Sequence, residues 1–265
     1  MTWLAGAIVL VSTLLAQPEF TTPDALLDAL EHADADLTDL TADLNYVRYF
    51  EISGDRQIRR GTLKFRSRPR EGHAPDRRFR VDFSSLEVGS TRRDERRTLI
   101  FDGEWFVDAM HADRLFVKRQ VVAPGTTIDP LRLGEGPFPL PIGQKKADIL
   151  AHFDASLRPA GEGIEFPNLA EHIAGATQLL LVPKEEGDLA EVRLWYARDA
   201  RGSLLPRLAL TVNQAGDRSF IQLLNVRRNP EVSLAEDEMS TRTPESGWEV
   251  QEMPWTDAPT PSPDR

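Results

Sequence analysis

Hydrophobic residues along the chain change their period twice, and each change marks a different kind of element. Leu26, Leu30, Ala33 and Leu37 recur at four, three and four residues, one apolar stripe at helical spacing. Thr22-Pro23-Asp24 precedes the stripe and supplies a capping hydroxyl, a proline for the first turn and an acid at the positive end of the helix dipole. From "TADLNYVRYFEIS" the period falls to two. Leu44, Tyr46, Phe50 and Ile52 point one way, while Asp43, Asn45, Tyr49 and Glu51 point the other. After a turn at Ser53-Gly54-Asp55-Arg56, "QIRRGTLKFRS" returns with Leu63 and Phe65 on one face. In "RRFRVDF", Phe79, Val81 and Phe83 alternate with Arg78, Arg80 and Asp82.

Three further strands follow in "RTLIF", "EWFVDA" and "RLFVKRQV". Asp102-Gly103 between the first two predicts a two-residue hairpin loop, because such loops need positive φ. Helical spacing resumes in "QKKADILAHFDASL", with Ile149, Leu150, Phe153 and Leu157 on one side. Strands return at "TQLLLVP", "AEVRLWYAR", "LPRLALTVNQ" and "SFIQLLNVR", and "GWEVQEM" offers a last short one. The expected fold is mainly β with some helix (α+β): about eleven antiparallel strands in one sheet, strongly curved or nearly closed. One domain is expected over 18–253, since no repeat or linker divides it.

Composition narrows the setting. The chain has 265 residues, a net charge of −10 and no cysteine, which excludes disulfides, thiolate chemistry and a cysteine-anchored lipid. The acidic balance argues against nucleic acid as a partner. The uncharged apolar run from Trp3 to Ala16 is shorter than the ~20 residues of a membrane-spanning helix. It suits a signal peptide over 1–17, with Ala16 before Gln17-Pro18 as the cleavage point. The expected location is the periplasm or an equivalent space. The Pro-rich stretch 254–265 reads as a disordered tail. Positions 56–97 hold 14 basic and 6 acidic residues, a local excess of +8 that leaves −18 elsewhere. That polarity suits transient contact with an anionic membrane surface or an acidic partner; it also suits solvated strand faces.

Candidate chemistry is sparse. His32, His73, His111, His152 and His172 form no metal-binding motif, and no nucleophile elbow occurs. No catalytic residue, metal or cofactor is assigned. The segment 134–143, "GEGPFPLPIG", is no phosphate loop, because Pro137, Pro139 and Pro141 remove N–H donors. It presents Phe138, Leu140 and Ile142 from a stiff extended segment. The aromatic residues Tyr46, Phe50, Phe65, Phe79, Phe83, Phe101, Trp105 and Phe116 fall at positions expected to face inward. They would serve either an ordinary core or a cavity between sheet and helices.

The order of elements resembles the outer-membrane lipoprotein carrier family (LolA-like). The resemblance rests on "GTLKFRSRP", "RFRVDF", "LIFDGEWFVDAMHADRLFVKR" and the later run "LLLVPKEEGDLAEVRLWYARDARGSLLPRLALTVNQAGDRSFIQLLNVRRNPEV", and covers about 22–250. It implies an unclosed antiparallel β-barrel of about eleven strands capped by a helical lid. It also implies a non-enzymatic, monomeric periplasmic carrier of a lipoprotein or lipid, with an inner-membrane release machinery and an outer-membrane acceptor as partners. Tyr46, Phe50, Leu63, Phe65, Phe79, Val81, Phe83, Phe101, Trp105 and Phe116 would then line the apolar cavity, and Phe138, Leu140, Ile142 and Arg68 would belong to the lid. By the same resemblance the arginine before Pro69 closes the lid through backbone carbonyls. Arg68 matches, with Arg66 and Arg70 as alternatives because 70–77 looks inserted. A lipoprotein-sensing or regulatory domain on the same fold is the second reading, and a lipid hydrolase the third.

Overall fold

Thr22 Oγ1 accepts the Ala25 N–H at 3.2 Å, and Pro23 opens the helix it caps, α1 (Pro23–Asp34). In this computed structural model the described residues are 19–71, 75–123, 133, 142–231 and 233–255. The expected leader 1–17, the loop residues Phe138 and Leu140, and the tail beyond 255 lie outside them. No helix among the described residues is long and apolar enough to cross a membrane.

Two strand groups follow α1. The first is β1 (Asp39–Tyr49), β2 (Arg56–Arg68), β3 (Asp76–Val88), β4 (Thr91–Phe101), β5 (Trp105–Met110) and β6 (Leu115–Gln120). Then come the helix α2 (Lys146–His152), β7 (Phe153–Arg158) and a short helix α3 (Pro167–His172). The second group is β8 (Thr177–Pro183), β9 (Leu189–Arg198), β10 (Leu204–Asn213) and β11 (Arg218–Arg228), and β12 (Glu249–Met253) is the last described strand. The twelve strands of the described residues form one sheet in the order β12-β6-β5-β4-β3-β2-β1-β11-β10-β9-β8-β7. The sheet is open: β12 and β7 are its edges, and the two groups meet where β1 pairs with β11.

Several details depart from the sequence reading. The helix expected through 157 stops at His152, and Phe153–Arg158 becomes β7, with Leu157 opposite Leu179. Every pairing but one is antiparallel; β12 lies parallel to β6. The β3–β4 hairpin is longer than "RRFRVDF" and "RTLIF" suggest, turning only at Gly89-Ser90. The tight turn also sits one residue later than expected: the Asp102 N–H donates to the Trp105 carbonyl at 3.2 Å, leaving Gly103-Glu104 as its two central residues. Asp102 Oδ1 accepts the N–H groups of Glu104 and Trp105 at 3.0 and 2.8 Å, so that Phe101 stands opposite Phe106. Gly103 nonetheless adopts φ +105°, as the turn chemistry requires.

One side of the sheet carries α1 and α2, whose Leu26, Leu27, Leu30 and Ile149 join the main apolar core. The other side carries α3, whose Leu169 packs with Ile173 against Trp195, Leu208, Leu210 and Phe220. A C-terminal arm also crosses that second side over β2–β6. Glu238 there pairs with Lys64, Thr241 donates to Asp102, and Trp248 meets Phe116 edge-on at 6.4 Å between centroids.

Candidate functional site

Residues directly opposite one another in a sheet share a face, so the register builds the helix-covered surface row by row. The first row is Leu40, Phe65, Phe79, Phe101 and Phe106, running from β1 to β5. The second is Ala42, Leu63, Val81, Leu99 and Asp108, and the third Leu44, Gly61, Phe83, Arg97 and Met110. The fourth is Tyr46, Arg59, Leu86 and Arg93. Across β1 the surface continues apolar, from Tyr46 through Ile221, Ala209, Leu194 and Leu179 to Leu157. The face therefore grades from wholly apolar beside α1 to cationic at the opposite strand ends.

At the apolar end packing is dense. Phe79 has no solvent exposure, and its ring lies 5.8 Å from Phe101 and 6.4 Å from Phe106. Leu63, Phe65, Val81 and Phe83 are buried in the same core. Tyr46 is half-buried and stacks on Phe83 at 6.2 Å. Phe50 is half-buried past the end of β1, with the Arg48 guanidinium 4.9 Å from its ring centre.

Toward the cationic end two ion pairs stand on this face. Arg97 reaches Asp108 through Nε at 2.8 Å and Nη2 at 2.5 Å; Arg59 Nε lies 3.1 Å from Glu95. The hydrogen bonds to Asp108 push the Arg97 pKa upward against the opposing effect of burial. Both guanidiniums are paired with a carboxylate, which is how charge is tolerated beside an apolar wall.

Two residues expected on this face lie on the other one. With Phe101 opposite Phe106, Trp105 must face away; it stacks under the Lys118 ammonium, 4.5 Å from its ring centre. Phe116 pairs with Ala109 and packs with Ile100, Val107 and Trp248 on the arm side. Phe106 takes the inward place. Strand alternation carried across the hairpin, rather than alternation within one strand, is the signal that finds it.

The helical cover is clasped at its margins by polar contacts. Lys146 Nζ donates to the Asp28 carboxylate at 2.9 and 3.0 Å and lies 3.1 Å from Asp24. The Gly143 N–H donates to Asp34 Oδ2 at 2.7 Å, and Arg228 donates to Asp36 at 2.7 Å and to the Ala33 carbonyl. Burial raises the Asp34 pKa, opposed by the Gly143 hydrogen bond and the Arg228 and Arg77 charges. Ile142 is buried in the core beneath α1.

Arg68 holds the α1–β1 connection. It donates to the Thr38 and Ser67 carbonyls at 2.6 and 2.9 Å and to the Asp39 carboxylate at 3.0 and 3.1 Å. Arg66 lies 3.8 Å from Glu236 on the arm, and Arg70 is exposed. The arginine beside Gly143 is Arg77. A side chain added at Gly143 would come within 2.8 Å of its guanidinium carbon, and Gly143 itself has φ +71°.

Among the described residues, two cavities border these elements. One of ≈ 390 Å³ lies by the clasp among Asp34, Arg77, Gly143 and Lys145; one of ≈ 620 Å³ lies under the arm among Arg78, Asp102, Glu236 and Thr241. Neither is lined by the aromatic wall. Among the described residues no cluster of three or more His, Asp or Glu side chains could hold a metal ion.

No family model matches the chain, and no curated protein matches it. Among solved structures it is similar to an uncharacterized conserved protein from Thermus thermophilus, at 14% identity over 86% of this chain and 98% of that one, with a TM-score of 0.46. It is also similar to a protein assigned as an outer membrane lipoprotein-sorting domain from Vibrio parahaemolyticus, at 10% identity over 78% and 93%, TM-score 0.37. A LolA superfamily protein from Nitrosomonas europaea matches at 10% identity over 83% and 98%, TM-score 0.35.

Proposed function

We propose that this chain is a periplasmic, non-enzymatic carrier that shelters the acyl chains of a lipoprotein or lipid on the helix-covered face for transfer to the outer membrane. The observation that carries this reading is the apolar end of the covered face, from Leu40 across to Phe106, under a thin helical cover held at its margins by polar clasps. Energetics favour exchange. Burying a methylene is worth ~0.8 kcal/mol, so an acyl chain gains on the order of 10 kcal/mol on leaving water. Leu26, Leu27 and Leu30 of α1 cover the same surface, at roughly 1.5–3 kcal/mol each. The two totals are of similar size, so cargo can displace α1 and α1 can expel cargo. Arg68 anchors the hinge of that motion at Thr38 and Asp39, and at the same end of α1 Asp34 accepts the Gly143 N–H beside Arg77. The wall comprises Leu63, Phe65, Phe79, Val81, Phe83 and Phe101, with Tyr46 and Phe50 at its open end. An inner-membrane release machinery and an outer-membrane acceptor would complete the route.

Delipidated protein should capture phospholipid or acylated protein detectable by mass spectrometry, and should enhance the emission of a fluorescent fatty acid. Arg68→Leu should change loading and release rates while leaving the far-UV spectrum intact. Absence of capture in both assays sinks the carrier reading.

Full coverage of Phe79 and Phe101 by protein favours a second reading, a regulatory domain that carries nothing. It predicts a stable protein partner in pull-downs and no lipid capture.

A further inference from the structure

The strand ends remote from the clasp bring two turns together. Tyr49 stands opposite Arg56, Gln57 opposite Val88, and the Gly89 N–H donates to the Arg56 carbonyl at 3.4 Å. The β1–β2 and β3–β4 turns thus form one rim. Its apolar residues are bare: Ile52 at the apex of the first turn is 92% exposed, and Val88 beside the second is 44% exposed. At 92% exposure the Ile52 side chain buries almost no apolar area, so it contributes little to the fold.

The charges around them are unequal in availability. Glu87 is engaged by Arg60 and Arg56, Glu95 by Arg59 and Glu51 by Arg218. Arg92, Arg93 and Arg96 are exposed with no ion pair among the described residues, against two exposed acids, Asp55 and Asp94. The rim is cationic on a molecule of net charge −10, so an anionic surface attracts this end and repels the remainder.

We infer that this rim docks on an anionic phospholipid bilayer, with Ile52 and Val88 entering the interface and Arg92, Arg93 and Arg96 meeting the lipid phosphates. Isolated aliphatic tips flanked by arginines suit a fluid interface, which accepts them without a complementary pocket. The inference rests on the carrier reading only for its purpose. Arg93 and Arg59 occupy the same row as Tyr46, so cargo leaving the apolar wall toward this end would pass the arginines nearest the lipid.

The test is cosedimentation of the full chain with phosphatidylcholine vesicles, with and without phosphatidylglycerol. Binding should require phosphatidylglycerol and fade as salt rises. Joint substitution of Arg92→Glu and Arg93→Glu should weaken it by on the order of tenfold or more. Ile52→Asp should weaken it by several-fold. All three sites are exposed, so melting temperature should not move. Fluorescent fatty-acid capture, measured without vesicles, should match the parent protein. Equal binding to both vesicle types, or binding indifferent to the arginine substitutions, overturns the inference even where fatty-acid capture is intact. Vesicle binding without fatty-acid capture upholds docking and removes the carrier function. A rim that binds an acidic protein but no vesicle also overturns it.

Discussion

Truncating Phe79 to alanine tests what the aromatic wall is packed against. Its ring has no solvent exposure and is held by Phe101 at 5.8 Å and Phe106 at 6.4 Å, with Phe65 directly opposite across β2. A phenylalanine so enclosed leaves a cavity that the neighbouring strands cannot close, and such truncations cost ~3–5 kcal/mol. At about 2–4 °C per kcal/mol for a chain of this size, Phe79→Ala should lower the melting temperature by roughly 6–20 °C. Differential scanning fluorimetry or thermal circular dichroism reads the shift directly. A saturating long-chain fatty acid should then recover part of the loss, because a ligand bound to the folded state raises its stability by mass action. A loss under ~1 kcal/mol would refute the packing argument, since it would mean that the ring already borders empty space. A full loss with no recovery would leave the packing intact and count against an acyl chain reaching this wall.

Other perturbations probe separate parts of the molecule. Gly61→Ala would bring a β-carbon within 2.0 Å of the Asp82 carbonyl oxygen, where β2 passes the bulge at Ser84. Because backbone and not a side-chain tip must yield, a loss of ~1–3 kcal/mol or more should appear in urea titration. Asp108→Ala strands a largely buried guanidinium on the covered face. It should cost about 2–4 kcal/mol, while the paired change Arg97→Leu with Asp108→Leu recovers most of it. His111, set 3.1 Å from Thr98 Oγ1 and edge-on to Trp248 at 5.2 Å, has its pKa lowered by burial and then by Arg96 and Arg80, with Asp82 opposing. The unfolded chain therefore takes up this proton first. Stability should fall as pH drops from the ordinary histidine value of 6.5 through the lowered one. His111→Gln should flatten that part of the melting-temperature profile, and an unchanged profile would exclude His111 as its source.

Much of the architecture was legible because a half-buried strand must alternate. "RRFRVDF" and "GTLKFRS" place Phe65, Phe79 and Val81 on one face whatever the partner, and they do share it. Helix α1 was equally plain, since its cap and stripe are local. Segment 153–158 was not. Phe153 and Leu157 satisfy a helical period and a strand period together, and pairing with β8 decided between them. The β3–β4 hairpin hid its length because arginines occupy both faces near its tip, leaving no alternation to read.

Trp105 and Phe116 show where the sequence reading stopped. Each lies in a correctly foreseen strand, yet its face follows from the residues that stand opposite across the hairpins, Phe101 against Phe106 and Ala109 against Phe116. The lid contacts are non-local in the same way. Arg68 and Arg77 are both arginines near Pro69 and Pro75 in sequence, but only tertiary packing sets one on the α1 hinge and the other on Gly143. The sequence by itself determined a β-rich chain with an apolar strand face, a capped leading helix and a cationic segment at 56–97, because periodicity, capping and charge are local quantities. The tertiary structure decided which aromatics share the covered face, how α1 is clasped and that Ile52, Val88, Arg92 and Arg93 meet at one rim. Those outcomes depend on register and packing between residues far apart in the chain.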